Sequence, residues 1–406
     1  MNWPDGFMWG TGASSNQCEG SAPASDWRQL EREGLVPISG EGNGFATRYA
    51  EDFSIYASLG LTNHRLSIEW ARVEPEEGAY DRAAIEHYRD MLTSAHDAGV
   101  TPWVCLHHFT LPTWFVSAGG FLVEENRTTR WARHVDFIAE TFGDLVGGWQ
   151  PVNETNYFAL IDARNRKNVL TGDHNWSHVS AVAEAIQLAT AEAAVRLKQT
   201  GRPVSSIFGL SCEVGLDDKP ETEARVALLR GINWDAGIGL FRDGVLRTAG
   251  RAPVERPDLA GSFDLLGFSY YATIGVADGE MVPYPTDAPV SPLGYGIAAS
   301  GLGRVLERLE SELPGTPLLV AEYGIGTDDD TVRAQYIEDG LAEVQRALER
   351  GVDIRGFFHW TGVDNYEWRH GYDVAFGIID ADRHVRPSAH VLAREALQSA
   401  TTGADR

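Results

Sequence analysis

Eight short apolar runs punctuate this chain, at 7–11, 62–68, 100–107, 147–153, 205–212, 263–270, 317–322 and 354–360. Each has the length of a single strand and the composition of one buried on both faces. The stretches between them follow a different rhythm. Over 82–98, 128–142, 178–200, 221–247, 302–313 and 331–350, apolar residues recur at three- and four-residue intervals. Ile85, Tyr88, Met91, Leu92 and Ala95 form one such stripe, as expected of a helix with one face against a core. Strands alternating with helices predict an α/β fold around a parallel sheet. Eight such strands alternating with helices predict a single (β/α)8 TIM barrel, with 1–406 forming one domain. No internal repeat, low-complexity tract or long charged run divides the chain.

Two of the runs lead to a glutamate. Gln150-Pro151-Val152-Asn153-Glu154 puts one directly after the fourth, and Leu318-Leu319-Val320-Ala321-Glu322 ends the seventh on one. The C-terminal ends of barrel strands form the mouth, so both carboxyls belong at a cleft and not on the outer wall. A carboxylate at the end of an apolar strand is costly to bury without a partner or a task. Most glutamates are solvated surface charges, and either segment alone would say little. Their position at opposite sides of one mouth changes that, because carboxylates facing each other across a sugar are what glycoside hydrolysis requires.

Composition narrows the field. A content of 43% hydrophobic residues with 10% aromatics supplies a large core, and an elaborated barrel reaches 406 residues as one unit. The formal charge of −24 disfavours nucleic acid and anionic membrane surfaces as partners, which leaves a small-molecule substrate. The three cysteines, Cys18, Cys105 and Cys212, are too few and too scattered for a disulfide framework or a metal knuckle. His107 and His108 are neighbours on one strand, point to opposite faces and cannot share an ion, so neither metal nor cofactor is expected. No run approaches the ~18 apolar residues of a membrane helix. The first strand begins almost at once after Met1, so no secretory leader is expected and the location expected is cytoplasmic.

Six ordered motifs resemble those of glycoside hydrolase family 1, the β-glucosidase family, along nearly the whole chain. They are Phe7-Met8-Trp9-Gly10-Thr11-Gly12-Ala13-Ser14-Ser15-Asn16-Gln17-Cys18-Glu19-Gly20, His64-Arg65-Leu66-Ser67-Ile68-Glu69-Trp70-Ala71-Arg72, His107-His108-Phe109-Thr110-Leu111-Pro112, the two glutamate segments, and the stretch from Trp360 to Trp368. The resemblance implies a retaining, exo-acting β-glycosidase, chiefly a β-glucosidase. Glu322 would attack the anomeric carbon, and Glu154 would serve as general acid and then general base. Arg65 and Tyr271 would stand beside the nucleophile, with Tyr271 also counted among the sugar contacts. Gln17, His108 and Glu367 would bind hydroxyls of the non-reducing sugar, Gln17 and Glu367 at its 4-position, and Asn153 its 2-hydroxyl. Trp360 would form the floor under the apolar face of the ring, with Trp368 beside it.

Several positions depart from the family pattern. Thr155 stands in place of the usual proline, Phe109 of a tryptophan, Ser269 of an asparagine, and Ala321 and Tyr323 of threonine and asparagine around Glu322. Phe109, Ser269 and Tyr323 are expected to border the sugar or the aglycone. The stretch 272–301 is short, which predicts a mouth more open to a bulky aglycone. Members acting on 6-phosphorylated sugars carry a serine in place of Glu367, with a nearby lysine. Here the lysines are Lys167, Lys198 and Lys219, and a carboxylate would repel the phosphate, so that specificity is disfavoured. β-Fucoside or β-galactoside preference, and transglycosylation by the same two glutamates, remain open on the sequence. An inverting enzyme would need its carboxyls about 6.5–9.5 Å apart, against ~5–5.5 Å for retention. A sugar-binding relative without activity would usually lack one of the two.

Overall fold

A computed structural model describes residues 3–163 and 175–404, so Lys167 lies outside the described residues. They place eight parallel strands in one curled sheet: β1 (Met8–Gly12), β2 (Asn63–Ser67), β3 (Thr101–His107), β4 (Gly148–Val152), β5 (Phe208–Gly209), β6 (Leu266–Tyr270), β7 (Leu318–Tyr323) and β8 (Ile354–Trp360). Their order in the sheet is β4-β3-β2-β1-β8-β7-β6-β5. The seam between β4 and β5 is closed by backbone. Trp149 N–H donates to Pro203 at 2.9 Å, Ser205 N–H to Trp149 at 2.8 Å, and Glu154 N–H to Ile207 at 2.8 Å. A helix follows each strand in turn: α1 (Phe45–Ser58), α2 (Arg82–Asp97), α3 (Ala132–Phe142), α4 (Trp176–Leu197), α5 (Ala236–Asp243), α6 (Ser300–Glu312), α7 (Asp330–Glu349) and α8 (Ala389–Ala404). The fold is the (β/α)8 barrel that the alternation predicts.

Alternation along each strand sorts side chains between two cores. Met8, Trp103, Cys105, Ile207, Leu265, Leu319, Ala321 and Phe358 fill the barrel interior, while Leu318, Val320, Tyr323 and Phe357 face the helical layer. The interior tryptophan keeps its polar edge satisfied, because Trp103 Nε1 donates to Asn63 Oδ1 at 3.2 Å.

The structure departs from the sequence pattern in two places. The strand expected over 205–212 pairs in the sheet only at Phe208–Gly209. The side chain of Asn156 takes the backbone bonds of Gly209, accepting from its N–H at 3.1 Å and donating to its carbonyl at 2.9 Å, so strand pairing ends there. Glu213–Gly215 instead joins a second small sheet with Thr273–Ala277 and Glu280–Tyr284. The helix expected over 221–247 is two α segments, Pro220–Arg230 and α5, joined by a π turn over Gly231–Asp235. It stops at Gly244, whose φ of +71° is left-handed; a Cβ there would also lie 2.6 Å from Pro257 Cα. Val245–Leu246 then runs as a strand against Val254–Glu255.

The segment after β8 is tied back to α1 by one buried ion pair. Arg383 holds both oxygens of Asp52, at 2.8 and 2.9 Å, and donates to Asn43 O at 2.8 Å. Asp52→Ala leaves a buried guanidinium without its anion and is expected to cost about 3–5 kcal/mol. Urea unfolding followed by circular dichroism measures this; a loss under about 1 kcal/mol would show that the pair holds nothing.

Candidate active site

The mouth gathers the side chains that the motifs single out, and Arg65 is their centre. Its guanidinium rises from the interior face of β2 and is fully buried. It donates through Nη2 to Glu322 Oε1, and through Nη1 to Asn153 Oδ1 at 3.2 Å and to His108 Nδ1 at 3.0 Å. Its plane lies 4.9 Å from the Trp360 ring. Tyr271, just past β6, donates its hydroxyl to Glu322 Oε2 at 2.5 Å. Both oxygens of Glu322 are therefore held, one by a cation and one by a neutral donor.

A local irregularity aims Glu322. Val320 faces the helices and Ala321 the interior, so strict alternation would send Glu322 outward again. The register of β7 against β6 slips between Val320 and Glu322, and this bulge turns the carboxyl into the mouth. Tyr323 consequently points outward. Its ring stacks on Tyr336 of α7 at 4.6 Å, its hydroxyl donates to Tyr336 O at 2.8 Å, and it is fully buried. The expectation that Tyr323 borders the sugar or the aglycone is therefore corrected. Gly340 on α7 makes room for it, since a Cβ there would sit 2.3 Å from the phenol ring.

Glu154 follows β4 on a backbone with φ of +40°, a conformation that side chains rarely adopt and that active sites often hold. Ser269 on β6 donates its hydroxyl to Glu154 Oε1. Burial and then the charge of Glu322 push the Glu154 carboxyl up to about 8, against the opposing effects of Ser269 and Arg65. Glu367 is pushed up to about 8 by burial, then by Glu322 and Glu154. Gln17 donates to Glu367 Oε2 at 3.1 Å and to Tyr366 O at 2.9 Å, while Ser14 donates to Gln17 Oε1 at 2.7 Å. His108 lies between Trp360 and Trp368, nearly parallel to both at 5.5 and 6.1 Å, and burial followed by the Arg65 charge keeps it neutral. Trp368 is braced edge-on by Trp27 at 4.7 Å and by the tilted ring of Phe109 at 5.3 Å. All the sequence-predicted site residues thus converge on one mouth. His107, by contrast, points into the helical layer among Phe121, Trp131 and Phe158.

The stretch 272–301 does not leave the mouth open on its side. After the Thr273–Ala277 and Glu280–Tyr284 hairpin, the chain turns back at 290–296 through a Val290–Gly296 bridge. Leu293 packs with Tyr271 against Trp360, Val374 and Phe376. Burial, and after it the charges of Glu367 and Glu154, push the Tyr295 hydroxyl well above its ordinary range. The expected opening is thus offset by a compact inward turn. Tyr295 escaped the sequence reading; an aromatic set between Gly294 and Gly296 was the available signal.

The family model for glycosyl hydrolase family 1 matches residues 1–401. The chain belongs to glycosyl hydrolase family 1. This hydrolase is 28% identical to the bifunctional β-D-glucosidase/β-D-fucosidase of Bifidobacterium breve, with 94% of each chain covered. It is 26% identical to the coniferin β-glucosidase of Pinus contorta, over 94% of this chain and 88% of the relative. It superposes on the β-glycosidase from Pyrococcus horikoshii with a TM-score of 0.87 at 27% identity, covering 98% and 95% of the two chains. The β-glucosidase from Thermotoga maritima in complex with glucoimidazole shares the fold, with a TM-score of 0.87 at 22% identity over 98% and 99%. Among the hydrolase's described residues, no helix is long and apolar enough to cross a membrane. Nor does any group of three or more His, Cys, Asp or Glu among them stand ready to hold a metal ion.

Removing the central cation should be felt throughout this site. Arg65→Met leaves the Glu322 carboxylate buried without a counter-charge, at an expected cost of about 3–5 kcal/mol at neutral pH. Denaturant unfolding of both proteins at pH 7 tests this, and a deficit under about 1 kcal/mol would contradict it.

Proposed function

We propose that this family 1 hydrolase is a retaining, exo-acting β-glycosidase whose main substrates are β-glucosides. The observation that carries the reading is the contrast between the two carboxyls at one mouth. Glu322 has both oxygens held by Arg65 and Tyr271, which suits a nucleophile. Glu154 is pushed up to about 8, which suits a proton donor at neutral pH.

In the first step an oxygen of Glu322 bonds to the anomeric carbon as the bond to the aglycone oxygen breaks. The proton of Glu154 passes to that oxygen, and the aglycone leaves as an alcohol. In the second, Glu154 takes a proton from water while the water oxygen attacks the same carbon and Glu322 is released. Asn153 and His108, both oriented by Arg65, face the 2-hydroxyl side of the sugar, and Gln17 with Glu367 takes the 4-hydroxyl. Trp360 receives the apolar ring face. A mouth narrowed by the 290–296 turn suits release of one terminal sugar at a time. The bifunctional name of the Bifidobacterium breve relative supports β-fucosides as a second substrate class.

Four measurements test this. Nitrophenyl β-glycosides should be turned over and α-anomers refused, and nuclear magnetic resonance should show the β-sugar as first product. Glu154 acts while protonated, so kcat/KM should hold below pH ~8 and fall as pH rises through it. Glu322→Gly should lose activity by orders of magnitude and regain it with azide, giving an α-glycosyl azide. An α-sugar as first product, or a fully active Glu322→Gly enzyme, would refute the retaining assignment.

A further inference from the structure

Ser269 occupies an unusual junction for so small a residue. It lies on β6 and is 1% exposed, with its Cα in register with Glu322 on β7 and with Gly209 on β5. Its carbonyl accepts from Leu210 N–H at 3.0 Å, which fixes its backbone in the barrel wall. Its hydroxyl reaches past β5 to Glu154, which follows β4, and donates to Oε1. A hydroxyl has one hydrogen to give, and this one is committed to a single carboxyl oxygen. Among the described residues, none hydrogen-bonds Oε2 of Glu154, and that oxygen is not sealed from the pocket.

We propose that Ser269 is a positioning residue for the acid/base step. By engaging Oε1 as an acceptor, it assigns the transferable proton of Glu154 to Oε2, the oxygen left facing the substrate. The inference rests on Glu154 being the proton donor of the reading above, and it adds which oxygen carries the proton and what puts it there. A protonated carboxyl has one oxygen that accepts and one that donates, and a donor fixed at Oε1 selects between them. In the first step the Oε2 proton moves to the departing oxygen and the carboxylate that remains keeps its bond from Ser269. That bond strengthens once the acceptor is charged, so the serine eases release of the proton. In the second step water returns a proton to the same Oε2 as its oxygen bonds to the anomeric carbon. The serine neither gains nor loses a proton in either step.

Ser269→Ala tests this through leaving groups, which a role in packing alone would not distinguish. A 2,4-dinitrophenolate departs without a proton, so kcat/KM for that β-glucoside should fall no more than about threefold. Phenyl and methyl β-glucosides need the proton, and their kcat/KM should fall roughly 10- to 100-fold, within what a positioned general acid contributes. The alkaline limb of the profile should move to higher pH, because a donor to the carboxylate has been removed. Ser269→Thr, which keeps the hydroxyl, should restore both. Equal losses on all leaving groups, or none, would overturn the proposal. So would an alkaline limb that moves down, since the serine would then be accepting from Glu154. Glu154→Ala serves as the separate control. If it too were blind to the leaving group, the assignment of Glu154 would fall, whatever Ser269 does.

Discussion

The ion pair between Arg65 and Glu322 is the constraint on which the mouth is organised. Both side chains are out of water, with exposures of 0% and 2%, so neither charge is tolerable alone. The guanidinium does more than neutralise. Its planar set of donors is divided among Glu322, Asn153 and His108, and its face lies over Trp360. One residue of β2 thereby fixes side chains from the ends of β3 and β4 and from β7 and β8 relative to one another. A lysine, with a single point of charge, could not impose that many directions at once.

The same economy explains the electrostatics. Among the described residues, the carboxyls of Glu154, Glu322 and Glu367 share the mouth with one buried cation, Arg65. Burial first, and then the charge of Glu322, press Glu154 and Glu367 toward their neutral forms, each to about 8, while Arg65 is engaged with Glu322. His108 is neutral for the mirror-image reason, since burial and the nearby guanidinium both oppose a second positive charge. The lining offered to a sugar is therefore dense in hydrogen-bonding groups yet close to balanced in charge, which matches an uncharged, hydroxyl-rich ligand.

How much of this was legible in the sequence depends on the kind of signal. The barrel was readable because apolar strand runs and helical stripes differ in period, and the chain alternates them cleanly. The positions of Glu154 and Glu322 were readable because a carboxylate closing an apolar run is anomalous wherever it occurs. The bulge at Ala321 was not, because a slip in register is a relation between two strands and leaves no mark in one. Tyr323 was misplaced for that reason: an extra residue reverses the face of everything beyond it. The break of the helix at Gly244 and the capture of Gly209 by Asn156 depend on distant backbone in the same way. Ser269 stood out only as a departure, since its partner lies 115 residues earlier in the chain.

Tyr323 and Gly340 illustrate how such a chain can change. The phenol ring occupies space that any Cβ on residue 340 would enter, at 2.3 Å. With the ring in place, the glycine is locked, and nothing larger can be exchanged for it without disturbing the packing of α7 on β7. With a smaller residue in place of Tyr323, the glycine becomes free to change. The two positions are thus coupled in order: Tyr323 must give way to a smaller residue before Gly340 can be exchanged. The bulge that turns Glu322 toward the sugar therefore also sets the sequence of permitted steps at a position well away from it.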